Sequence, residues 1–275
     1  MSLDHRLEAQ NLCAGYEKQA ILDDVSIALP AGKITAIVGG NASGKSTLLR
    51  TLTRILPSVS GSVLLDGQSV HAMPSRKLAQ IMGLLPQSPI APEGITVADL
   101  VGRGRHPHHS LFSRWGAADD HAVEQALRAT GIEKLAEREI DTLSGGQRQR
   151  AWIAMALAQE TDLLLLDEPT TFLDVSHQIE VLDLLVDMNT SRGTTIAMVL
   201  HDLNLAARYA DHLIAVADRG IHAEGPPSEI LTESMVKAVF GLESRIITDP
   251  VSGTPSMVPI GRHKVVSRSC NRKIA

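Results

Sequence analysis

Apolar positions along the chain fall into two alternating regimes, short runs and helical stripes. Residues 21–29 (ILDDVSIAL) and 33–38 (KITAIV) read as strands, with Pro30, Ala31 and Gly32 as the turn between them. A glycine-rich loop follows, and then a helical pattern over residues 46–56 (STLLRTLTRIL). Residues 62–70 read as a hairpin turning at Asp66-Gly67. From about residue 88 to 143 the character changes. This stretch is loop-rich at first, then helical over 119–130, with Ala122, Val123, Ala126 and Leu127 on one face and Gly131 as the stop. The unbroken apolar run at 163–166 suits a strand buried on both faces. Residues 174–189 return to helical spacing through Val175, Ile179, Leu182 and Leu185, and 194–200 read as another buried strand. Strands alternating with helices predict an α/β fold with a mainly parallel sheet, and 88–143 is a helical insert in it.

Composition narrows the function classes. The 275 residues are 44% apolar with a net charge of −5, enough for a full core and not the basic balance of a nucleic-acid binder. Cys13 and Cys270 are the only cysteines, too few for a disulfide framework and in keeping with a reducing cytoplasm. The first ten residues lack the apolar run of a signal peptide. No stretch reaches the roughly 18 apolar residues of a membrane span. The longest candidate, 151–166, is interrupted by Gln159, Glu160, Thr161 and Asp162. Work at a membrane therefore requires docking onto another chain.

Three segments carry chemistry. Residues 39–46 (GGNASGKS) match the phosphate-loop pattern, and they stand where it must stand, between a strand and a helix. Gly39, Gly40 and Gly44, with Asn41, Ala42 and Ser43 between them, let backbone N–H groups curl around phosphate oxygens. The helix start that continues through Ser46 and Thr47 adds a favourable dipole. Lys45 reaches the terminal phosphates, and Ser46 offers its hydroxyl to Mg²⁺. At 163–168 (LLLLDE) a buried strand ends in two carboxylates, where a sheet of this class binds its ligand. Asp167 is the expected Mg²⁺ ligand and Glu168 the expected general base towards water. Residues 143–147 (LSGGQ) start a helix running to residue 158, with Ser144 as N-cap. Gly145 and Gly146 leave N–H groups bare there, a second anion site beside Gln147.

With these three segments in order, the chain resembles the ABC ATPase family over residues 7–263. The resemblance implies roles for further residues. Tyr16 in LCAGY matches the aromatic that stacks on adenine. Gln87 in LLPQ matches the glutamine that touches Mg²⁺ and water and links the site to the helical insert. Asp174 in TFLD matches a loop that signals across a dimer, and His201 in VLHDL matches the histidine on the γ-phosphate. The implied fold is the P-loop NTPase of ABC type, with a mainly parallel core, an N-terminal antiparallel β subdomain and an inserted α-helical subdomain. It forms one cassette over residues 4–255, the insert at about 88–150 carrying LSGGQ at its end, followed by a basic tail at 256–275.

The implied mechanism joins two copies head to tail, each phosphate loop facing the other's LSGGQ around Mg²⁺-ATP. Lys45, Gly145, Gly146 and His201 would stabilise charge, while Glu168 and Gln87 position water. Partners are a second copy, membrane permeases and, indirectly, a substrate-binding protein, at the cytoplasmic face of the inner or plasma membrane. One departure stands out. The family loop commonly reads GPNGSGKST, and here Gly40 replaces the proline and Ala42 a glycine. Alanine is strained if that position needs positive φ.

Cargo is read from the spacers. Residues 102–115, 166–185 and 249–263 are similar to the ATPases of bacterial iron(III)–siderophore importers, nearest the ferric enterobactin type, in a group that includes haem and vitamin B12 importers. The cluster His106, His108 and His109 invites a metal reading, against which a plain surface loop is the simpler one. The tail residues Arg262, Lys264, Arg268, Arg272 and Lys273 suit anionic lipid or a solvated terminus. Non-transport ABC ATPases, the rival class, carry two cassettes or a long coiled coil. Here one phosphate loop and one LSGGQ lie roughly 100 residues apart. A phosphate-loop kinase or GTPase would lack LSGGQ, and a mere nucleotide-binding regulator would need neither Glu168 nor His201.

Overall fold

The computed structural model describes residues 5–16, 19–109, 114–171 and 173–263. The chain opens with two antiparallel strands, β1 (Leu7–Tyr16) and β2 (Gln19–Ala28), then crosses into β3 (Ile34–Val38) and helix α1 (Lys45–Leu52). The hairpin β4 (Ser60–Leu65) and β5 (Gln68–Ser69) follows, and α2 (Ser75–Ile81) leads to β6 (Met82–Leu85). The insert supplies α3 (Val97–Gly102), α4 (Ala117–Ala129) and α5 (Gly145–Ala158). Then come β7 (Leu163–Asp167), α6 (Val175–Arg192), β8 (Thr195–Val199), α7 (Leu203–Tyr209), β9 (His212–Ala217) and β10 (Gly220–Gly225). The described chain closes with α8 (Pro227–Ile230), α9 (Glu233–Phe240), β11 (Ser244–Thr248) and β12 (Pro255–Pro259).

The central sheet runs β10-β9-β3-β8-β7-β6, parallel except for its β10 edge. A second sheet, β2-β1-β4-β5, is antiparallel. Every residue of β3, β7 and β8 is buried, as expected of strands covered on both faces. Alternation along each strand divides the core in two. Leu163, Leu165, Ala197 and Val199 join the antiparallel sheet and α1. Leu164, Leu166, Ile196 and Met198 join the helices of the insert, α6 and α7. The central sheet is thus a middle layer, and the phosphate loop emerges at its edge between the two cores.

Several sequence expectations need adjustment. The helix after the loop stops at Leu52, four residues short of the apolar pattern. Thr53 donates its hydroxyl to the Leu49 and Arg50 carbonyls, and Arg54 turns left-handed (φ 62°) to give its guanidinium to the Val70 and Met73 carbonyls. The stretch read as loop-rich holds α3, whose N-cap Thr96 accepts from Asp99 N, and a 3₁₀ segment over 103–108. At six residues, α3 is too short to leave a periodic signal. The insert boundary at 150 cuts through α5, which runs on to Ala158. Val175 is 75% exposed, because it occupies the first turn of α6 beyond the buried stripe of Val181, Leu182 and Leu185.

The boundary expected at 255/256 falls inside β12. That strand pairs with β11 from Ser244↔Pro259 to Thr248↔Pro255. Asn204 on α7 clamps it, donating to the Met257 carbonyl (3.1 Å) and accepting from Met257 N (2.7 Å). Ile246 and Met257 pack on the main core, so the cassette continues through this hairpin. Of the basic tail, Lys264, Arg268, Arg272 and Lys273 lie outside the described residues, as does Cys270.

A chain ended after Thr254 loses β12 and its Asn204 clamp. We expect its thermal midpoint to fall about 5 °C below that of a chain ended after His263. Equal midpoints by circular dichroism would show that the hairpin is not part of the folding unit.

Candidate nucleotide site

Close backbone packing shapes the phosphate loop. A Cβ on Gly39 would stand 2.4 Å from the Val216 carbonyl and 2.7 Å from Ser43 Oγ, so only glycine fits. Gly44, at φ 107°, caps α1 and lies against Leu22, where a Cβ would meet Cδ2 at 2.8 Å. Ala42 sits at φ 60°. The position therefore is left-handed in this chain, and alanine there costs about 1–2 kcal/mol. Lys45 Nζ donates to the Gly39 (3.0 Å) and Gly40 (2.8 Å) carbonyls, which holds its charge at the mouth of the loop.

The two carboxylates after β7 diverge. Ser46 donates its hydroxyl to Asp167 Oδ1 at 2.9 Å. The second oxygen, Oδ2, is buried without a hydrogen-bond partner, with Arg50 Nε 4.0 Å away. Glu168 turns left-handed (φ 56°), and its Oε1 lies 2.7 Å from His201 Nε2. Thr171 donates its hydroxyl to Oε2 at 3.0 Å, and Gln87 adds a further side-chain hydrogen bond.

These environments push the pKa values apart. Burial raises that of Asp167 more than Ser46, Arg50 and Lys45 lower it. Burial acts in the same sense on Glu168, but the hydrogen bonds from His201, Thr171 and Gln87 outweigh it and hold the carboxyl below its ordinary value. Burial lowers the pKa of Lys45 against the pull of Glu168 and Asp167.

One cleft of about 440 Å³ gathers Tyr16, Asn41, Ala42, Ser43, Gly44, Lys45, Ser46, Thr47, Gln87, Glu168 and His201. A slightly larger cleft of about 490 Å³ lies between the insert and α6, lined by Arg128, Arg150, Glu180 and Asp183. It has no phosphate loop, so size alone misplaces the chemistry. Ser46 on the first cleft, with the Asp167 carboxylate bonded behind it, fits Mg²⁺. A hydroxyl next to a carboxylate whose buried second oxygen lacks a hydrogen-bond partner is hard-oxygen chemistry, and Mg²⁺ takes one or two protein ligands alongside phosphate and water. Among the described residues no group of three His, Cys, Asp or Glu side chains is placed to hold a metal.

The remaining expected residues lie outside this cleft. Ser144 and Gln147 form a reciprocal capping box on α5, Ser144 Oγ accepting from Gln147 N (3.3 Å) and Gln147 Oε1 from Ser144 N (3.2 Å). Gly145 faces open space, and Gly146 lies against Leu173. Asp174 caps α6, accepting from His177 N at 3.0 Å. Two members of the histidine cluster make packing contacts, His108 Nε2 meeting the Gln159 carbonyl (2.7 Å) and His109 stacking on Trp115 beside Asp119, while His106 is exposed.

Two neighbours escaped the sequence reading. Thr171 was within reach as the residue three after Glu168. Arg50, which donates to the Tyr16 hydroxyl at 3.2 Å, gave no signal beyond its helical position.

The sequence pattern of the ABC transporter family matches residues 22–171, and the chain belongs to that family. It is 52% identical to the achromobactin transport ATP-binding protein of Dickeya dadantii over 263 residues, covering 96% of this chain and 98% of that one. It is also 52% identical to the ferric enterobactin transport ATP-binding protein of Escherichia coli, covering 94% and 95%. A metal-chelate type ABC transporter in an inward-facing conformation superposes with a TM-score of 0.80 at 31% identity, covering 94% of this chain and 98% of that one.

Because burial disfavours the charged form of Asp167, Asp167→Asn should stabilise the fold at pH 7. Its folded pKa lies above the unfolded value, so the ionised side chain costs stability at neutral pH. That cost vanishes once pH falls below the unfolded value of about 3.9. Urea unfolding should show the variant more stable at pH 7 and level with the unmodified chain at pH 3; parity at pH 7 would contradict the burial argument.

Proposed function

We propose that this chain is the ATP-binding and ATP-hydrolysing subunit of an ABC importer that takes up an iron(III)–siderophore complex through separate permease subunits. The observation that carries the hydrolytic part is the cleft joining the phosphate loop, Ser46 and Glu168 with its partners, with Asp167 bonded to Ser46. The cargo rests on the transport named for the two relatives at 52% identity.

Within the cleft each side chain has a distinct task. Backbone N–H groups of 39–45 and the start of α1 cradle the phosphates. Lys45 turns its ammonium from the loop carbonyls to the terminal phosphates. Ser46 and Asp167, with Gln87 beside them or through water, would hold Mg²⁺, which would supply charge neutralisation at the phosphate oxygens. Glu168, ionised at neutral pH, accepts a proton from the attacking water that Gln87 helps to place. His201 then meets charge developing on the transferred group. Tyr16, 45% exposed at the rim, offers its ring to the base.

The cleft is half of a site. Gly145 and Gly146 present bare N–H groups at a helix start, capped by Ser144, that does not line it. A second copy, turned head to tail, would bring that helix start onto the phosphates, with Asp174 at the shared border. ATP then favours the closed pair because only that state completes its contacts. No helix of the described residues is long and apolar enough to cross a membrane. We assign the crossing to the permeases and place this chain on their cytoplasmic face, beside the ATP pool.

Glu168→Gln should bind ATP, retain only a slow residual hydrolysis and elute as a dimer on size exclusion. Adding Ser144→Arg should return it to monomer while leaving ATP binding by calorimetry intact. A double variant that still dimerises would refute the head-to-tail arrangement. For the cargo, the chain with its permease in lipid should hydrolyse ATP faster when the binding protein carries a ferric siderophore. Stimulation by haem or vitamin B12 instead would move the assignment within the importer group.

A further inference from the structure

The turn that carries Glu168 is held from two directions. From the core, Thr171 N donates to the Glu168 carbonyl (3.2 Å). Gln178 Nε2 donates to the carbonyls of Thr170 (3.4 Å) and Leu173 (3.1 Å). From the helical insert, Gln149 Nε2 donates to the carbonyl of Pro169 at 3.0 Å. Gln149 lies on α5, one turn beyond the Ser144–Gly146 start that serves the partner's nucleotide in the reading above. Leu173, at the end of the same turn, packs 3.4 Å from where a Cβ on Gly146 would stand. The signature helix and the acidic turn of one subunit are therefore in direct contact.

We propose that Gln149 is a positioning residue that fixes the Pro169 carbonyl and, through it, the left-handed turn at Glu168. The orientation of the signature helix then sets the aim of the Glu168 carboxylate in the same subunit. The inference rests on the ATPase reading of the site. The chain's stiffness makes the transmission effective. The ring of Pro169 locks its own φ, so a constraint on its carbonyl reaches Glu168 with one soft dihedral fewer in between. Glu168 itself, at φ 56° before a proline, is out of its preferred region and returns to it if the restraint is lost. Thr171 and His201 meet the two carboxylate oxygens from fixed directions, so a small rotation of the turn breaks both contacts. The helix start that the partner uses and the base that the subunit itself uses are in this way one mechanical unit. Docking of the signature helix on the partner's nucleotide orders the base at home.

The test uses the purified full chain with Mg²⁺-ATP. Gln149→Met keeps length and volume but removes the donor. It should lower kcat by about tenfold to a hundredfold, with KM for ATP and the thermal midpoint unchanged. In a Glu168→Gln background the same substitution should change the residual single-turnover rate by less than about twofold, because the group it acts through is already gone. A packing role predicts full activity for Gln149→Met, and a role elsewhere predicts the same loss in both backgrounds; either result overturns the proposal. Should Gln149→Met melt early, Gln149→Glu provides the same shape with an ionised end that cannot donate, and unimpaired turnover there overturns it equally. The reading beneath it fails separately: hydrolysis that survives Lys45→Ala removes the site assignment, and the inference with it.

Discussion

A hydroxyl and a carboxylate 121 positions apart, Ser46 and Asp167, meet at 2.9 Å, and the geometry of the whole site follows from that meeting. It requires β7 and the β3–α1 junction to end at the same level of the sheet. Strand order supplies this, since β3 and β7 flank β8 with all three parallel. Parallel strands release their loops at one edge, and the phosphate loop, the acidic pair and His201 all follow strands of this set. Burial of all five residues in each strand keeps that edge from sliding.

The site departs from ordinary backbone and solvation preferences at a few points, and the rest of the fold stabilises those departures. Ala42 and Glu168 both sit at positive φ, one shaping the loop and the other aiming a carboxylate. Lys45 and Asp167 are held against their preferred charge states by burial. Two continuous cores, one on each face of the sheet, supply the surplus that makes these costs tolerable. Glu168 is the exception to the electrostatic pattern, because His201, Thr171 and Gln87 favour its ionised form. A base must be ionised, whereas a metal ligand gains its counter-charge only with the metal. The opposite directions of the two neighbouring carboxyls thus match the two tasks proposed for them.

The helical insert gives the cassette a second interface. Its α5 begins at a capping box that does not line the subunit's own cleft and continues into β7 through the short link 159–162. One element therefore carries the helix start proposed for a neighbour's nucleotide, touches the acidic turn along its flank and leads into the strand that ends in Asp167. Conformational coupling in such an arrangement needs no long pathway. It needs the insert and the core to move as bodies, with the Gln149–Pro169 contact proposed as the joint between them.

The division between what the sequence determined and what the tertiary structure decided follows the range of the interactions. Glycines for the loop, the Ser144 cap with Gln147 three residues on, the Asp66-Gly67 hairpin and the buried run at 163–166 all depend on local φ/ψ or short periodicity, and each was legible along the chain. The positive φ that puts Ala42 under strain was legible as a question and became an answer only in three dimensions. Tertiary structure alone decided that α1 stops at Leu52, that β12 completes the cassette, and that Arg50 and Gln149 meet Tyr16 and Pro169. It also decided that Ser144 and Gly145 do not line the cleft they resemble in chemistry. Such contacts depend on which strands lie side by side, and a hydrophobic pattern records that a strand is buried without recording its neighbours.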